Sequence, residues 1–376
     1  MNSSRRTASI IHPVAMDAST TTLQQRQSRV VSGDLKHPEK WVPWMIPVFV
    51  IANVVVFGVT MYVNNCPKTS VSCIARFLGR FAFQPFRENP LLGPSSATLQ
   101  KMGALDVQKV IHAHQGWRLL SCNWLHAGVF HMLANMLSLL AIGIRLEQEF
   151  GFAKVGLLYV ISGFGGSLLS ALFIQKNISV GASGSLFGLL GGMLSELITN
   201  WSIYSSKVAT FFILVIIIII NLAVGILPHV DNFAHIGGFL SGFFLGFVLL
   251  IRPQYGWVDR RNSPVGFVPS SVKSKFKPYQ CVFWILSLSL LVSGLTVGLI
   301  ALLRGVDGNS HCSWCHYLSC VPTSRWSCNN QPAACMTSRS INQLNLTCIS
   351  NGKSTIHTLP NVTDSQIQGL CSEFCS

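Results

Sequence analysis

The chain has 376 residues, enough for two or three soluble domains, but only 11% of them are charged and 49% are hydrophobic. With a mean hydropathy of +0.46, this composition excludes an ordinary soluble protein and is typical of a membrane protein. The formal net charge of +14 would also suit a nucleic-acid-binding protein. Because the basic residues cluster beside apolar runs, however, we expect a lipid bilayer as partner and no nucleic acid.

Seven apolar runs are long enough to span a bilayer, which takes about 20 residues each. They lie at 42–63, 119–144, 152–173, 182–200, 208–227, 233–251 and 280–303. His, Asn, Ser and Gly interrupt the second and fourth runs, which is costly in lipid, so we expect those two helices to face protein or water. The predicted fold class is an all-α polytopic membrane protein.

The segments around these runs divide the chain further. Residues 1–40 are polar, and we expect a disordered cytosolic tail there and not a cleaved signal. After it come a six-helix core at 41–251 with a long loop at 64–118, a basic cytosolic loop at 252–279, the seventh span at 280–303 and a cysteine-rich tail at 304–376. The positive-inside rule places the basic segments before the first span and after the sixth in the cytosol. The long loop also carries seven Lys and Arg residues, but loops of that length are only weakly constrained by the rule.

Ten of the twelve cysteines lie in the two regions that this topology places on the luminal or extracellular side, where disulfides persist. They are Cys66 and Cys73 in the long loop and Cys312, Cys315, Cys320, Cys328, Cys335, Cys348, Cys371 and Cys375 in the tail. Sequons for N-glycosylation begin at Asn345 and Asn361. We therefore expect a secretory-pathway protein of the Golgi or plasma membrane, with a cytosolic N-terminus and a luminal C-terminus.

A zinc site at Cys312 and Cys315 is the alternative to a disulfide. We disfavour it because metal-binding thiols belong to reducing compartments, and we expect no metal and no cofactor.

The loop at 64–118 is too long for a simple connection. It contains Phe77, Leu78, Phe81, Phe83 and Phe86 interleaved with Arg76, Arg80 and Arg87. This composition is typical of a segment that lies in the membrane interface, although a small disulfide-bearing luminal subdomain fits equally well. The loop ends in Trp117 and Arg118, which we expect to anchor at the level of the lipid headgroups.

Two glycine series with the same four-residue period follow a serine and a histidine. They are Gly184, Gly188 and Gly192 after Ser183, and Gly238, Gly242 and Gly246 after His235. A helix face without side chains lets another backbone come very close. Packed in parallel, the two faces bring the Ser183 hydroxyl and the His235 imidazole to the same depth, as proton transfer from a nucleophile to a base requires.

Other polar residues near these segments extend the prediction. His131 and Asn135 share one face of the second span; such a pair often links helices in a membrane, but beside a serine nucleophile both side chains can donate to an oxyanion. Asp231 is better placed to cap the sixth helix than to complete a triad, so a Ser-His dyad is predicted.

Other membrane proteases and transporters lack support in the sequence. A metalloprotease needs His-Glu-x-x-His, which does not occur, and an aspartyl mechanism needs two buried aspartates, whereas no span contains one. A channel or transporter needs paired polar helices or repeat symmetry, and neither is present.

Several short motifs occur in a fixed order along the core. They are Trp117-Arg118, His126 with His131 and Asn135, Gly181-Ala182-Ser183-Gly184, and Ala234-His235 with Gly238 and Gly242. This combination resembles the rhomboid family of intramembrane serine proteases. The stretch 89–95, Asn-Pro-Leu-Leu-Gly-Pro-Ser, is similar to plant members of the secretory-pathway subclass. The resemblance covers 89–246 and neither tail.

The resemblance implies a six-helix rhomboid core, an added C-terminal helix and a water-filled cavity that opens to the lumen above Ser183. It makes Ser183 the nucleophile and His235 the base, with an oxyanion hole formed by the Ser183 amide, His131 and Asn135. Supporting positions are His126, Gly181, Gly184, Gly238, Gly242, Trp117, Arg118 and, in a cytosolic turn, Gly143 and Glu147. Phe187 stands where many members have a tyrosine on the catalytic histidine, so ring stacking remains and a hydroxyl is lost.

The implied activity is cleavage of single-span membrane proteins near the luminal side. The substrate helix must unwind there, because a carbonyl in an intact helix is already hydrogen-bonded. The alternative is a catalytically inactive relative that binds and escorts or retains membrane proteins. Such relatives usually lose the serine or histidine or gain a proline beside the nucleophile, whereas Ala182 precedes Ser183 here.

Overall fold

A computed structural model of the chain describes residues 41–69, 72–86, 88–201, 204, 206–225, 230–252, 276–312, 314–321, 335–340, 343–348, 353–357, 367, 370 and 374. The predicted tail at 1–40 and most of the basic loop at 252–279 lie outside the described residues. So do Cys328, Cys371, Cys375 and Asn361.

Seven long helices, as the sequence predicts, make up most of the described chain. They are α1 (Met45–Asn64), α2 (Val129–Phe150), α3 (Phe152–Phe173), α4 (Ser183–Thr199), α5 (Lys207–Val224), α6 (Asn232–Leu249) and α7 (Pro278–Leu303). Six of them are long and apolar enough to cross a membrane, and α4 is shorter, with 17 residues. The chain is therefore a helical polytopic membrane protein.

The predicted second span at 119–144 is wrong at both ends, because α2 begins at Val129 and continues to Phe150. The apolar residues before it form a short helix, Arg118–Ser121, and a 3-10 turn, Cys122–Trp124. Gly128 then passes so close to the backbone of Leu91 that no side chain fits there. Hydropathy detects apolar composition and does not detect this break in the backbone.

The predicted cytosolic turn around Glu147 is also wrong, because Gly143 and Glu147 lie inside the last turns of α2. The Glu147 carboxylate accepts hydrogen bonds from the backbone N–H groups of Trp44, Met45 and Ile46 at 3.1, 2.8 and 2.9 Å. These are groups that the first turn of α1 cannot satisfy itself. Glu147 therefore caps α1.

The glycine series of α4 and α6 meet as predicted. A Cβ on Gly238 would collide with the Gly184 carbonyl, and one on Gly246 would lie 2.8 Å from the Gly192 Cα. The paired residue numbers rise together, so the two helices run parallel. Close contact of bare backbones holds them together without large side chains.

Helix α3 is a third member of this contact, which the sequence indicated only as close packing. A Cβ on Gly166 would lie 2.6 Å from the Ala234 carbonyl oxygen and 3.3 Å from the Gly184 Cα. Helix α3 therefore contacts α4 and α6 where both begin. In contrast, α5 buries only Leu214 and Ile218 of its described side chains, as expected of a helix that faces lipid.

We name the two ends of the helix bundle after Glu147 and Ser183, which lie at opposite ends. At the Glu147 end, Arg252 pairs with Glu149 at 2.6 Å and with Glu196 at 3.4 Å, and the Gln280 side chain donates to the Thr199 carbonyl at 3.4 Å. These contacts join the ends of α2, α4 and α6 to the start of α7. The opposite Ser183 end contains the starts of α4 and α6, the long loop and the tail.

The long loop combines features of the two predicted alternatives, a membrane-interface segment and a disulfide-bearing subdomain. A disulfide joins Cys66 and Cys73, a 3-10 helix covers Arg76–Phe81, and short helices cover Cys66–Thr69, Ser96–Met102 and Val107–Ile111. Phe77 is 88% exposed, and Phe81 and Phe86 are also exposed. The disulfide stabilises a small subdomain, whose exposed aromatic rings suit a lipid interface.

Arg118 is not the headgroup anchor that the sequence predicts. Its side chain is only 4% exposed and donates to the carbonyl oxygens of Gln100 and Ala104, both at 2.8 Å. The guanidinium group is used inside the protein, where it fixes the loop before α2. Trp117 is 53% exposed, and its headgroup position stays a prediction.

The tail packs against the core at the Ser183 end. The Asn309 side chain donates to the Phe173 carbonyl at 2.6 Å, and Gln175 donates to the Val306 carbonyl at 3.0 Å. Cys312 and Cys315 form a disulfide, so both sulfurs of the alternative zinc site are already bonded.

Farther along, the tail forms a small antiparallel sheet that the sequence did not predict. Its strands are β1 (Cys335–Ser340), β2 (Gln343–Cys348) and β3 (Ser354–His357), in the order β1-β2-β3. Cys320 and Cys348 are also disulfide-bonded, and the backbone of Cys335 lies opposite Cys348 in the sheet. The Asn345 sequon lies in β2.

Candidate active site

Ser183 is the first residue of α4. It is partly exposed, whereas Ala182 and Gly184 on either side are buried. The segment that leads to it is fixed by a hydrogen bond from the Gly181 N–H to the Cys122 carbonyl at 3.0 Å. The first N–H groups of a helix have no partner within it, so Ser183 presents a hydroxyl and a backbone donor together.

Gly181 leaves the space that the side chain of His131 occupies. Its φ of +130° is in the region that glycine adopts without strain. A Cβ at this position would lie 2.7 Å from His131 Cε1, 2.9 Å from His131 Nε2 and 3.7 Å from Ser183 Oγ. The imidazole of His131 therefore lies over Gly181 and beside the Ser183 hydroxyl.

The hydrogen bonds of His131 assign its tautomer. Nδ1 accepts from the Ala127 N–H at 3.4 Å, so the neutral ring carries its proton on Nε2. Nε2 lies 2.9 Å from the Cβ position of Gly181, so a donor is available near Ser183. Asn135 is buried and donates one amide hydrogen to the His131 carbonyl at 3.1 Å, which leaves its second amide hydrogen for another acceptor.

His126 supports this arrangement from behind. Its side chain is buried, and its ring centroid lies 5.3 Å from that of His131 in an edge-to-face contact. The two rings are therefore in contact, and the supporting role of His126 stays a prediction.

His235 lies in the first turn of α6 and is buried. Its ring stacks on Phe187 with centroids 4.3 Å apart and planes 16° apart, which is the contact expected at this position. The Ala234 carbonyl oxygen would lie 3.2 Å from a Cβ on Gly184, so the chain neighbours of Ser183 and His235 touch. Among the described residues, however, no hydrogen bond joins the Ser183 hydroxyl to His235.

Asp231 caps α6, as predicted, by accepting from the Ala234 N–H at 3.0 Å. It also accepts from the hydroxyl of Ser179 at 2.5 Å and from that of Ser170. Burial raises the pKa of the Asp231 carboxyl, and the hydrogen bonds from the two serines oppose that shift. The sequence contains no signal for these two serine contacts, because they join separate segments.

The predicted site residues thus divide between the two ends of the helices. Ser183, His235, His131, Asn135, His126, Gly181, Gly184, Gly238 and Phe187 come together at the Ser183 end, and Gly242 continues the helix contact. Glu147 lies at the opposite end, and Trp117 and Arg118 lie in the loop. Within the described part of the chain, His, Cys, Asp and Glu side chains form no group of three that could hold a metal ion.

Known proteins resemble this chain over most of its length. A family model described as "Rhomboid domain" matches residues 113–252. RHOMBOID-like protein 1 of Arabidopsis thaliana is 66% identical over 335 residues, which cover 89% of this chain and 86% of that protein. RHOMBOID-like protein 4 of the same plant is 60% identical over 373 residues, or 97% and 93% of the two chains.

A more distant relative carries a different name. Inactive RHOMBOID-like protein 8 of Arabidopsis thaliana is 42% identical over 297 residues, which cover 78% of this chain and 84% of that protein. Similarity of this extent to several relatives, together with the matched domain, shows that the chain belongs to the rhomboid family, as its motifs predicted.

Proposed function

We propose that the protein is an intramembrane serine protease in which Ser183 is the nucleophile and His235 the general base. The observation that carries the proposal is the meeting of α4 and α6 at their first turns. This contact brings a partly exposed serine close to a buried, ring-stacked imidazole. Catalytic hydrogen bonds are often long in unliganded enzymes and tighten when substrate binds, so a longer separation in this state is compatible with the proposal.

The proposed reaction follows from the donors around Ser183. As the Ser183 oxygen attacks the substrate carbonyl, His235 takes the hydroxyl proton and later gives it to the leaving amine. The His131 Nε2–H, the Asn135 amide and the Ser183 backbone N–H stabilise the oxyanion. Water then hydrolyses the acyl-enzyme with the same base.

The proposed substrates are single-span membrane proteins whose helix unwinds at the Ser183 end. The starts of α4 and α6 lie there, and the first N–H groups of each helix have no partner within it. A substrate carbonyl released from its helix can then be attacked, whereas one inside an intact helix cannot. Small or helix-breaking residues are expected at the cleaved bond.

The alternative function is that of an inactive protein that binds and escorts or retains membrane proteins. It is favoured by the names of relatives such as Inactive RHOMBOID-like protein 8. Against it, this chain has both Ser183 and His235, and the His131 imidazole lies over Gly181, next to the serine.

A fluorophosphonate probe, which reacts with activated serines, separates the two functions. We expect the purified wild type to be labelled, and we expect neither Ser183→Ala nor His235→Ala to be labelled. The variants should remain folded in detergent, as judged by their thermal unfolding. An unlabelled wild type that unfolds normally would favour the escort function.

We also propose that the Ser183 end faces the lumen of the secretory pathway. The disulfides Cys66–Cys73 and Cys312–Cys315 both lie at that end, and disulfides persist in oxidising compartments. One relative, 55% identical, is named RHOMBOID-like protein 6, mitochondrial, so the test must separate these compartments. A mass shift on glycosidase treatment, lost in Asn345→Gln/Asn361→Gln, supports the proposal. A protein without glycans in which these four cysteines are reduced would contradict the proposal.

A further inference from the structure

Asp231 lies one turn before His235 and touches three separate segments of the chain. Its Oδ1 accepts from the Ala234 N–H in the first turn of α6 at 3.0 Å. Its Oδ2 accepts from the hydroxyl of Ser179 at 2.5 Å and from that of Ser170. Ser170 belongs to α3, and Ser179 belongs to the segment that leads into Ser183. One carboxylate therefore connects the starts of α4 and α6.

These contacts exceed what a helix cap requires. Capping uses one oxygen to satisfy an N–H of the first turn, whereas the second oxygen of Asp231 accepts from two serines that lie outside α6. Asp307 in the tail shows the ordinary case, because within the described part of the chain its side chain bonds only Asn309, in its own turn.

We propose that Asp231 is a positioning residue that holds Ser183 and His235 at their working separation. The inference rests on the proposed Ser-His chemistry. Only three residues separate Ser179 from Ser183, and Ser179 is held through both its backbone and its side chain. The Ser179 backbone pairs with Leu105 at 2.9 and 3.1 Å, and its hydroxyl bonds Asp231. A shift of Asp231 would therefore be passed to the nucleophile and, through Ala234, to the base.

Asp231 is not the third member of a triad. It accepts hydrogen bonds from the backbone at the start of α6 and from Ser170 and Ser179, and among the described residues the Nδ1 of His235 has no hydrogen-bond partner. A triad aspartate would accept from that nitrogen. Asp231 acts through backbone and serine contacts instead.

The test compares labelling kinetics of Asp231→Ala, Asp231→Asn, Ser179→Ala and the control Asp307→Ala, with a fluorophosphonate probe on the full-length protein. We expect Asp231→Ala to lower the rate at saturating probe by about 10- to 100-fold, because a misplacement of about 1 Å costs a factor of this order. The half-saturating concentration should stay unchanged. Asp231→Asn should recover most of the rate, since its oxygen still caps α6 and its NH₂ can donate to the serine hydroxyls.

The pH profile distinguishes positioning from a direct effect of charge. Because Asp231 does not touch the imidazole, we expect the midpoint of labelling against pH to be the same in all variants. A rate for Asp231→Ala within about twofold of the wild type, as for an ordinary surface substitution, overturns the proposal. So does an Asp231→Asn variant as slow as Asp231→Ala with a shifted midpoint.

Hydrogen exchange tests the same connection without catalysis. Asp231→Ala should speed exchange in peptides covering 174–182 and 230–236, whereas Ser179→Ala should affect only the first. If the wild type is not labelled by the probe, the proposed chemistry fails, and the exchange data still decide whether Asp231 links the two segments. Unchanged exchange in both peptides contradicts the link.

Discussion

At the scale of single residues, the candidate site depends on where side chains are missing. His131 can approach Ser183 only because Gly181 has no Cβ. The same glycine has a φ of +130°, so both its conformation and the space around it require glycine. Phe187 lies one turn after Ser183 on α4. Its ring stacks on His235 of α6, so one aromatic side chain lies next to both proposed catalytic residues.

We expect Gly181→Ala to abolish fluorophosphonate labelling, with a loss of at least about 100-fold. The new methyl group displaces His131, and removal of an oxyanion donor alone costs about 100- to 1000-fold. Labelling rates of purified protein measure this effect.

Gly305→Ala is the matched control for that prediction. Gly305 also has a positive φ, of +73°, but no atom lies within 4 Å of its Cβ position. Both variants carry backbone strain, about 1–2 kcal/mol in the left-handed region of Gly305 and up to about 3 kcal/mol at the φ of Gly181, and only Gly181→Ala should lose labelling. Equal labelling of the two variants would show that His131 does not need this space.

At the scale of helices, the contact among α3, α4 and α6 is made of backbone. A Cβ on Gly238 would strike the Gly184 carbonyl, and neither backbone can move without shifting the helix that carries Ser183 or His235. Stability and site geometry therefore depend on the same contact. Helix α5 makes no such contact and packs mainly through Leu214 and Ile218.

We expect Gly238→Ala to destabilise the protein by about 1–3 kcal/mol, as overpacking of a close contact does, and to reduce labelling as well. Gly294→Ala in α7 is the control, because no atom lies within 4 Å of its Cβ position. There the better helix propensity of alanine should leave the stability unchanged or raise it by up to about 1 kcal/mol. Thermal unfolding in detergent compares them, and equal midpoints would contradict the close packing of α4 and α6.

At the scale of the whole molecule, the first part of the tail after α7, residues 304–321, packs against the Ser183 end. Asn309 and Gln175 connect it to the end of α3. The side chain of Asn232 donates to the Leu222 carbonyl at 3.3 Å and to the Leu318 carbonyl at 2.7 Å. This single amide joins the end of α5, the start of α6 and the tail.

We expect Asn309→Ala/Gln175→Ala to speed hydrogen exchange in residues 304–321 by about 30-fold, since the two lost hydrogen bonds are worth about 1 kcal/mol each. Ser310→Ala is the control, because its hydroxyl bonds only Asp307 and His311 in its own turn. Unchanged exchange in the double variant would mean that the tail is held by other contacts.

The sequence by itself determined the features that repeat along one helix. Apolar length predicted the spans, and the four-residue glycine period predicted the parallel contact of α4 and α6. The order of short motifs predicted the family, and Asp231 next to an apolar helix predicted a cap. Each of these signals consists of residues that lie within a few turns of one another, or of the order of such groups along the chain, so composition and spacing are enough to read it.

Only the tertiary structure decided how separate segments meet. Arg118 was predicted at the membrane surface but is buried, because carbonyl groups of Gln100 and Ala104 need its donors. The second span was placed too early, because Gly128 must pass the backbone of Leu91. The two serines on Asp231 lie 61 and 52 residues away along the chain, and no local pattern records a contact over such a distance.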